Sequence, residues 1–244
     1  MKKVIFYLFL SFVTFNLSAQ GLDKSYKTFD LALSVGGTGF SPALSFTQMF
    51  GIGKSSRFKI GYGIRVTSHF GGVANFRTAP AKFTSGTSSF AALVSDDIVA
   101  NIDTFNVKSF QTNALNVSIN VQYALSKKLE IGVNIDAIGK TWGNTVTGDL
   151  ISKRNKRKFQ DGSITSTSNP ETYNLLLVSD SDIGSLNSEV YARYWATEKI
   201  GIRVGFSFQF VELTTQKKVE IDGKLNDTWR YKTFMPMVAF CYKL

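Results

Sequence analysis

Apolar and polar residues alternate strictly along residues 57–69. Phe58, Ile60, Tyr62, Ile64 and Val66 hold the even positions; Lys59, Gly61, Gly63, Arg65, Thr67 and His69 hold the odd ones. A period of two marks an extended strand with one face of each kind. The solvent face of a water-soluble sheet is expected to be dense in Lys, Glu and Thr. Here the polar face carries glycines and isolated charges. A strand whose apolar face meets lipid, and whose polar face points into a closed barrel, fits this pattern better.

The pattern recurs and predicts eight strands, at about 29–35, 43–50, 57–69, 115–125, 129–139, 186–196, 200–210 and 231–244. In the first, Phe29, Leu31, Leu33 and Val35 face outward, opposed by Asp30, Ala32 and Ser34. The second places Leu44, Phe46 and Phe50 outward, with Gln48 a misfit among them. In the fifth, Leu129, Ile131, Val133 and Ile135 alternate with inward Glu130, Gly132, Asn134 and Asp136. The sixth turns Val190, Ala192 and Tyr194 outward and Asn187, Glu189, Tyr191 and Arg193 inward. The seventh alternates Ile200, Ile202, Val204, Phe206, Phe208 and Phe210 with Gly201, Arg203, Gly205, Ser207 and Gln209. Pro236 lies in the last strand, where it removes a ladder hydrogen bond, so a bulge or local break is expected there.

The connections are asymmetric. Short turns follow the second, fourth and sixth strands, and longer loops at 72–113, 143–185 and 214–228 follow the third, fifth and seventh. The loop at 72–113 has room for a short helix or a β extension. Outer-membrane barrels have short periplasmic turns and long extracellular loops. Placing the N-terminus in the periplasm puts Phe29, Phe50, Phe58, Tyr123, Tyr194 and Tyr242 at the periplasmic ends of the outward face. Such a ring of aromatics suits the headgroup boundary. The fold class expected is all-β: an eight-stranded antiparallel up-and-down transmembrane β-barrel. A lipocalin-like soluble barrel would have an apolar interior, whereas the inward set here is charged and amide-rich.

On these strands the chain resembles the small eight-stranded outer-membrane β-barrel proteins, such as the transmembrane domain of outer-membrane protein A. The resemblance spans residues 29–244 and rests on pattern and strand count. It implies recognition of an aromatic residue in the last strand by the barrel assembly machinery. The chain ends Phe240-Cys241-Tyr242-Lys243-Leu244, so Tyr242 is the candidate. No peptidoglycan-binding domain is expected after the last strand.

Residues 1–19 read as a cleaved secretory signal: Lys2 and Lys3, an apolar run from Val4 to Phe15, and Leu17-Ser18-Ala19 before the cut. That run is shorter than the roughly 20 residues of a spanning helix. The barrel domain is then 20–244. Hydrophobic residues make up 43% of the chain, yet mean hydropathy is near zero, a balance that alternation produces. Cys241 is the lone cysteine, so no internal disulfide framework is available. The net charge of +10 becomes 10 − 2 = +8 without Lys2 and Lys3. In an exported barrel this points to anionic lipid rather than nucleic acid.

The inward charges are Asp30, Lys59, Arg65, Glu130, Asp136, Glu189, Arg193 and Arg203. An eight-stranded interior is just wide enough for side chains to fill. A salt-bridged plug around Glu130, Arg193 and Arg203, with Glu189 above, is expected; a gated ion path is the competing reading. His69, the single histidine, faces inward near the outer rim, where it is expected to make a hydrogen bond. Lipid A-modifying barrels use His and Ser at that rim, but the position two residues on is Gly71, and neither Thr67 nor Ser207 completes a defined triad. The run Arg154-Asn155-Lys156-Arg157-Lys158 on a long loop is a candidate contact for lipopolysaccharide phosphates, or simply a solvated loop. No phosphate-cradling loop or metal cluster is evident, and no cofactor is expected. The function expected is a monomeric, non-enzymatic structural and surface-interaction role through the extracellular loops. A narrow channel or small-molecule transporter is the alternative, and a lipid A-modifying enzyme the third.

Overall fold

The structure is a computed structural model that describes residues 22–86, 95–177 and 181–244. The expected signal segment therefore lies outside the described residues, as do residues 90–94 of the long connection at 72–113. Thirteen strands are present among the described residues: β1 Ser25–Gly36, β2 Gly39–Ile52, β3 Phe58–Gly71, β4 Ala74–Thr78, β5 Thr104–Val107, β6 Phe110–Ala124, β7 Leu129–Gly143, β8 Val146–Ile151, β9 Thr165–Pro170, β10 Tyr173–Leu175, β11 Leu186–Trp195, β12 Ile200–Ile221 and β13 Lys224–Lys243. A one-turn helix, α1 Ala81–Thr84, and a 3-10 turn, Val99–Asn101, lie between β4 and β5. The all-β class stands, but the sheet holds thirteen strands rather than eight.

Following the pairings explains the excess. The longer strands pair antiparallel in the order β1–β2–β3–β6–β7–β11–β12–β13, and β13 returns to β1 through a register running from Thr28↔Lys243 to Ser34↔Met237. Closure leaves this ring without a free edge. Its polarity is inverted relative to a water-soluble protein. Leu31 is 60% exposed while its neighbour Asp30 is 1% exposed, and β1 alternates in this way along its length. Fully burying a Leu or Ile side chain is worth roughly 1.5–3 kcal/mol. An outward surface made of such residues on every strand is stable only against hydrocarbon.

Four of the five remaining strands build a second ring on top of the first, while β10 pairs with β7. The upper halves of β12 and β13 stay paired, and β13 pairs with β4, β4 with β5, β5 with β8, β8 with β9 and β9 with β12. This small ring has conventional polarity, with Phe76, Phe105, Leu150, Val219, Ile221 and Trp229 inside it. The connections expected at 72–113 and 143–185 thus supply walls of a packed unit, β4 and β5 from the first and β8 and β9 from the second, and the first also holds the short helix and β extension it had room for. Residues 214–228 form no loop either. They continue the β12–β13 hairpin to a two-residue turn at Asp222-Gly223, both with positive φ, the geometry that Asp-Gly favours. A register shift between Thr214 and Val219 accommodates extra residues on β12.

Smaller expectations resolve locally. Gln48 is buried, and its amide donates to Ser25 Oγ at 2.7 Å and to the Tyr26 carbonyl at 3.3 Å. The β12–β13 ladder runs through Phe206↔Pro236 without a shift, whereas the β1–β13 ladder ends at Ser34↔Met237. Pro236 therefore breaks pairing on the β1 side and produces no bulge. The bulge lies elsewhere. Between Val117↔Ile138 and Ser118↔Asp136, Ala137 is an extra residue on β7. Gly132 makes room for an inward aromatic: a Cβ there would lie 2.7 Å from Tyr191 Cζ.

Trp229 is fully buried, packs 5.7 Å from the Phe105 ring and donates from Nε1 to Thr215 Oγ1 at 3.1 Å. Replacing it with Ala is expected to cost about 3–5 kcal/mol. The upper ring will become protease-sensitive while a lipid-protected lower fragment persists. Unchanged digestion would show that the upper ring is not held by this core.

Candidate functional site

The interior of the lower ring is an ion-pair chain of alternating sign. It runs Lys59–Glu130 (3.5 Å), Glu130–Arg193 (3.7 Å), Arg193–Asp30 (2.7 Å), Asp30–Arg203 (3.5 Å), Arg203–Glu189 (3.2 Å), Glu189–Arg65 (3.0 Å) and Arg65–Asp136 (2.5 Å). Four cations and four carboxylates make it electrically neutral. Every member is inward because the period of two puts it there, and closure of the sheet brings the strands face to face.

Register explains the order. Arg193 stands directly opposite Glu130 on one side and Arg203 on the other. Two arginines in direct cross-strand opposition repel. Asp30, reaching in from β1, accepts both. The sequence had grouped Glu130, Arg193 and Arg203 with Glu189 above. In the structure Arg203 bridges Asp30 and Glu189, while Glu130 takes Lys59 and Arg193. The middle role of Asp30 was hidden because β1 lies far from β11 and β12 along the chain. Only the β13–β1 seam makes them neighbours.

Both ends of the chain are tied into neutral partners. The Glu130 carboxylate accepts from Trp195 Nε1 at 2.9 Å, from the Tyr26 hydroxyl at 3.1 Å and from the Gln122 amide. Tyr26, Met49, Trp195 and Cys241 pack as an apolar floor beneath it. At the other end, Arg65 donates to Asn134 Oδ1 at 2.9 Å and to the Asn187 carbonyl at 2.7 Å. Asp136 accepts from Asn116 Nδ2 at 2.8 Å and from the Asn187 backbone N–H at 3.0 Å. Above this lies a lid of rings: Phe110 packs 5.1 Å from Phe76, 5.5 Å from Tyr231 and 5.2 Å from His69. Tyr26, Gln122, Trp195 and Phe110 were not singled out from the sequence, because nothing in a linear pattern shows which inward residues share a level.

His69 does not make the hydrogen bond expected of it. Both ring nitrogens lack one of normal geometry, although Gln209 approaches, and the ring is held instead in the aromatic lid. Of the hydroxyls considered with it, Ser207 donates to Asn187 Oδ1 at 2.7 Å, whereas the buried Thr67 hydroxyl has no hydrogen-bond partner among the described residues. No group of three or more metal-ligating side chains occurs among the described residues.

The basic run lies in the connection between β8 and β9, and its members do not share one face. Arg154, Lys156 and Lys158 are exposed. Arg157 turns back, donating to Asp103 at 3.0 Å and to the Ala100 carbonyl at 2.9 Å, and so clamps the connection to the 3-10 turn. In the same connection, hydrogen bonds from Lys217 and Ser163 hold the Asp161 carboxyl well below the usual carboxylate range.

No family model and no curated protein matches the chain. Among solved structures it is similar to Neisserial surface protein A, at 11% identity and a TM-score of 0.41 over 92% of this chain and 100% of that one. It is also similar to Ail of Yersinia pestis (8%, 0.36, 90% and 97%) and to OprG of Pseudomonas aeruginosa (10%, 0.38, 93% and 98%). None of these TM-scores reaches 0.5, and the chain's own geometry is what classifies it. A sheet closed strand by strand, apolar outside and ion-paired within, with short turns at one end and long excursions at the other, is the architecture of a transmembrane β-barrel.

Proposed function

We propose that this protein is an exported, monomeric outer-membrane barrel with a sealed lumen, and that it works through the ring it raises above the membrane. The eight longer strands span the bilayer, with Tyr242 in the last strand as the mark read by the assembly machinery. The upper ring is a rigid platform presenting polar connections to the exterior. Arg154, Lys156 and Lys158 are its contacts for lipopolysaccharide phosphates. No catalysis is assigned to it.

One observation carries the sealed lumen: all eight charged members of the interior chain are at most 3% exposed. A water-filled path would expose them to a water-sized probe. Ion pairs this deep contribute little net stability, because desolvation offsets their attraction, but removing one partner strands the other. Such a chain holds the lumen shut and in register; it does not select ions.

In planar bilayers the full-length protein is expected to add no conductance above the lipid baseline, and Arg193→Met to leave that unchanged. Discrete current steps from the unmodified protein would favour the channel reading. Asp30→Asn will leave Arg193 and Arg203 facing each other without their shared carboxylate. It is expected to cost about 3–5 kcal/mol in urea unfolding from lipid vesicles. Adding Arg203→Met is expected to recover part of that loss, and strictly additive losses would deny the coupling. Changing Arg154, Lys156 and Lys158 together to Gln is expected to weaken binding to immobilised lipopolysaccharide; equal binding would reduce the run to solvation.

A further inference from the structure

The wall of the lower ring has a step. On β7 the partner is β11 up to Ile135↔Ser188, and above the Ala137 bulge it is β10, beginning at Ile138↔Leu175. Strand β11 stops at Leu186, while β12 continues for eleven residues beyond Phe210, the partner of Leu186. A cavity of about 810 Å³ occupies this step, within the roughly 300–1,000 Å³ of small-ligand pockets.

The cavity opens on the outward face. Its floor follows one cross-strand row, Ile135–Ser188–Phe208–Phe234. Ser188 is the small residue in that row. Phe208 and Phe234 pack with ring centroids 4.5 Å apart and planes tilted by 51° to form one wall, and Leu177 also lines the cavity. The position is at the edge of the apolar band. Outward residues on β13 run Tyr242, Phe240, Val238, Pro236, Phe234 and then Lys232. Tyr242 to Phe234 spans about 20 Å along the membrane normal for a strand rising ~3.3 Å per residue at ~40° tilt. The next outward group after this span, on the cavity's upper rim, is a cation.

We propose that this furrow is a lipid site: one acyl chain of a phosphorylated outer-leaflet lipid lies over Ser188 between Ile135 and Phe208, with its phosphate at Lys232. Lys232 brings a cation to the shallow end of the furrow. Arg230, 4.8 Å over the Phe210 ring, is paired with Glu212 at 3.1 Å. Asp182, the carboxylate on the rim, accepts the Leu177 N–H at 2.6 Å and is turned toward the backbone. An apolar slot with a cation at its shallow end matches an acyl chain below a phosphate. It does not match a free sugar or a water-soluble peptide.

The inference rests on the membrane placement proposed above, and the test separates the two. The full chain is reconstituted into phosphatidylcholine nanodiscs doped with diphosphoryl lipid A, and bound lipid is counted by native mass spectrometry after release. The expected result is one retained lipid A per protein. Ser188→Trp should abolish it by filling the furrow, and Lys232→Gln should weaken it severalfold, while Val204→Trp, elsewhere on the outward face, should leave it unchanged. Lipid A with its phosphates removed should be retained no better than phosphatidylcholine, and inorganic phosphate should not compete. Retention that survives both Ser188→Trp and Lys232→Gln, or no adduct on the unmodified protein, would overturn the site while leaving the barrel in its disc. Should Ser188→Trp fail to fold, Lys232→Gln and the dephosphorylated lipid decide alone. Failure of the unmodified chain to enter the disc would instead remove the membrane placement and the site with it.

Discussion

Hydrocarbon accepts no unpaired backbone N–H or C=O, and the rest of this molecule follows from that constraint. A sheet whose outer face is apolar must leave no edge, so β13 has to find β1. Closure then encloses whatever the inward positions carry. Eight of those positions are charged, and in a medium of low polarity a lone charge costs several kcal/mol. The alternating chain from Lys59 to Asp136 meets that cost by giving every cation a carboxylate and every carboxylate a cation. Filling the ring's interior with paired side chains is the by-product of solving the charge problem.

The same two strands serve two solvents. Along β12, outward residues are apolar from Ile200 through Phe208. From Val211 upward the apolar side chains lie on the inward side, at Val211, Leu213, Val219 and Ile221. Along β13 the change falls between Phe234, which faces out, and Tyr231 and Trp229, which face in or pack against the upper core. Side-chain parity does not change there; what changes is which side of the sheet is dry. This crossover marks where the outward apolar band ends and the inward apolar core begins. It also explains how a chain rich in exposed aromatics carries a conventional apolar core a few residues away.

The inverted alternation was legible because it is local. Phe58 to His69 and Ile200 to Phe210 each declare their faces within one strand, and each aromatic of the girdle is read from its place in its own strand. The upper ring was not legible in the same way. Its strands β4, β5, β8 and β9 are four to six residues long, below the ~9–11 residues that a spanning strand needs. A search tuned to membrane length passes over Ala74-Phe76-Thr78 and Phe105-Val107. The Asp222-Gly223 turn was the local sign that the last hairpin continued past the membrane, and Trp229 and Ile221 beside it were the start of the second core.

The sequence by itself determined which face of each long strand is apolar, which residues point inward, and therefore that the interior is charged. Those properties depend only on a residue's position within its own strand. The tertiary structure alone decided which charges meet, because Asp30 reaches Arg193 and Arg203 only across the closing seam. It also decided that the connections form a second ring, and that β11 ends early enough to leave a furrow in the wall. Each of these depends on register between strands far apart in the chain, and register is set when the sheet closes.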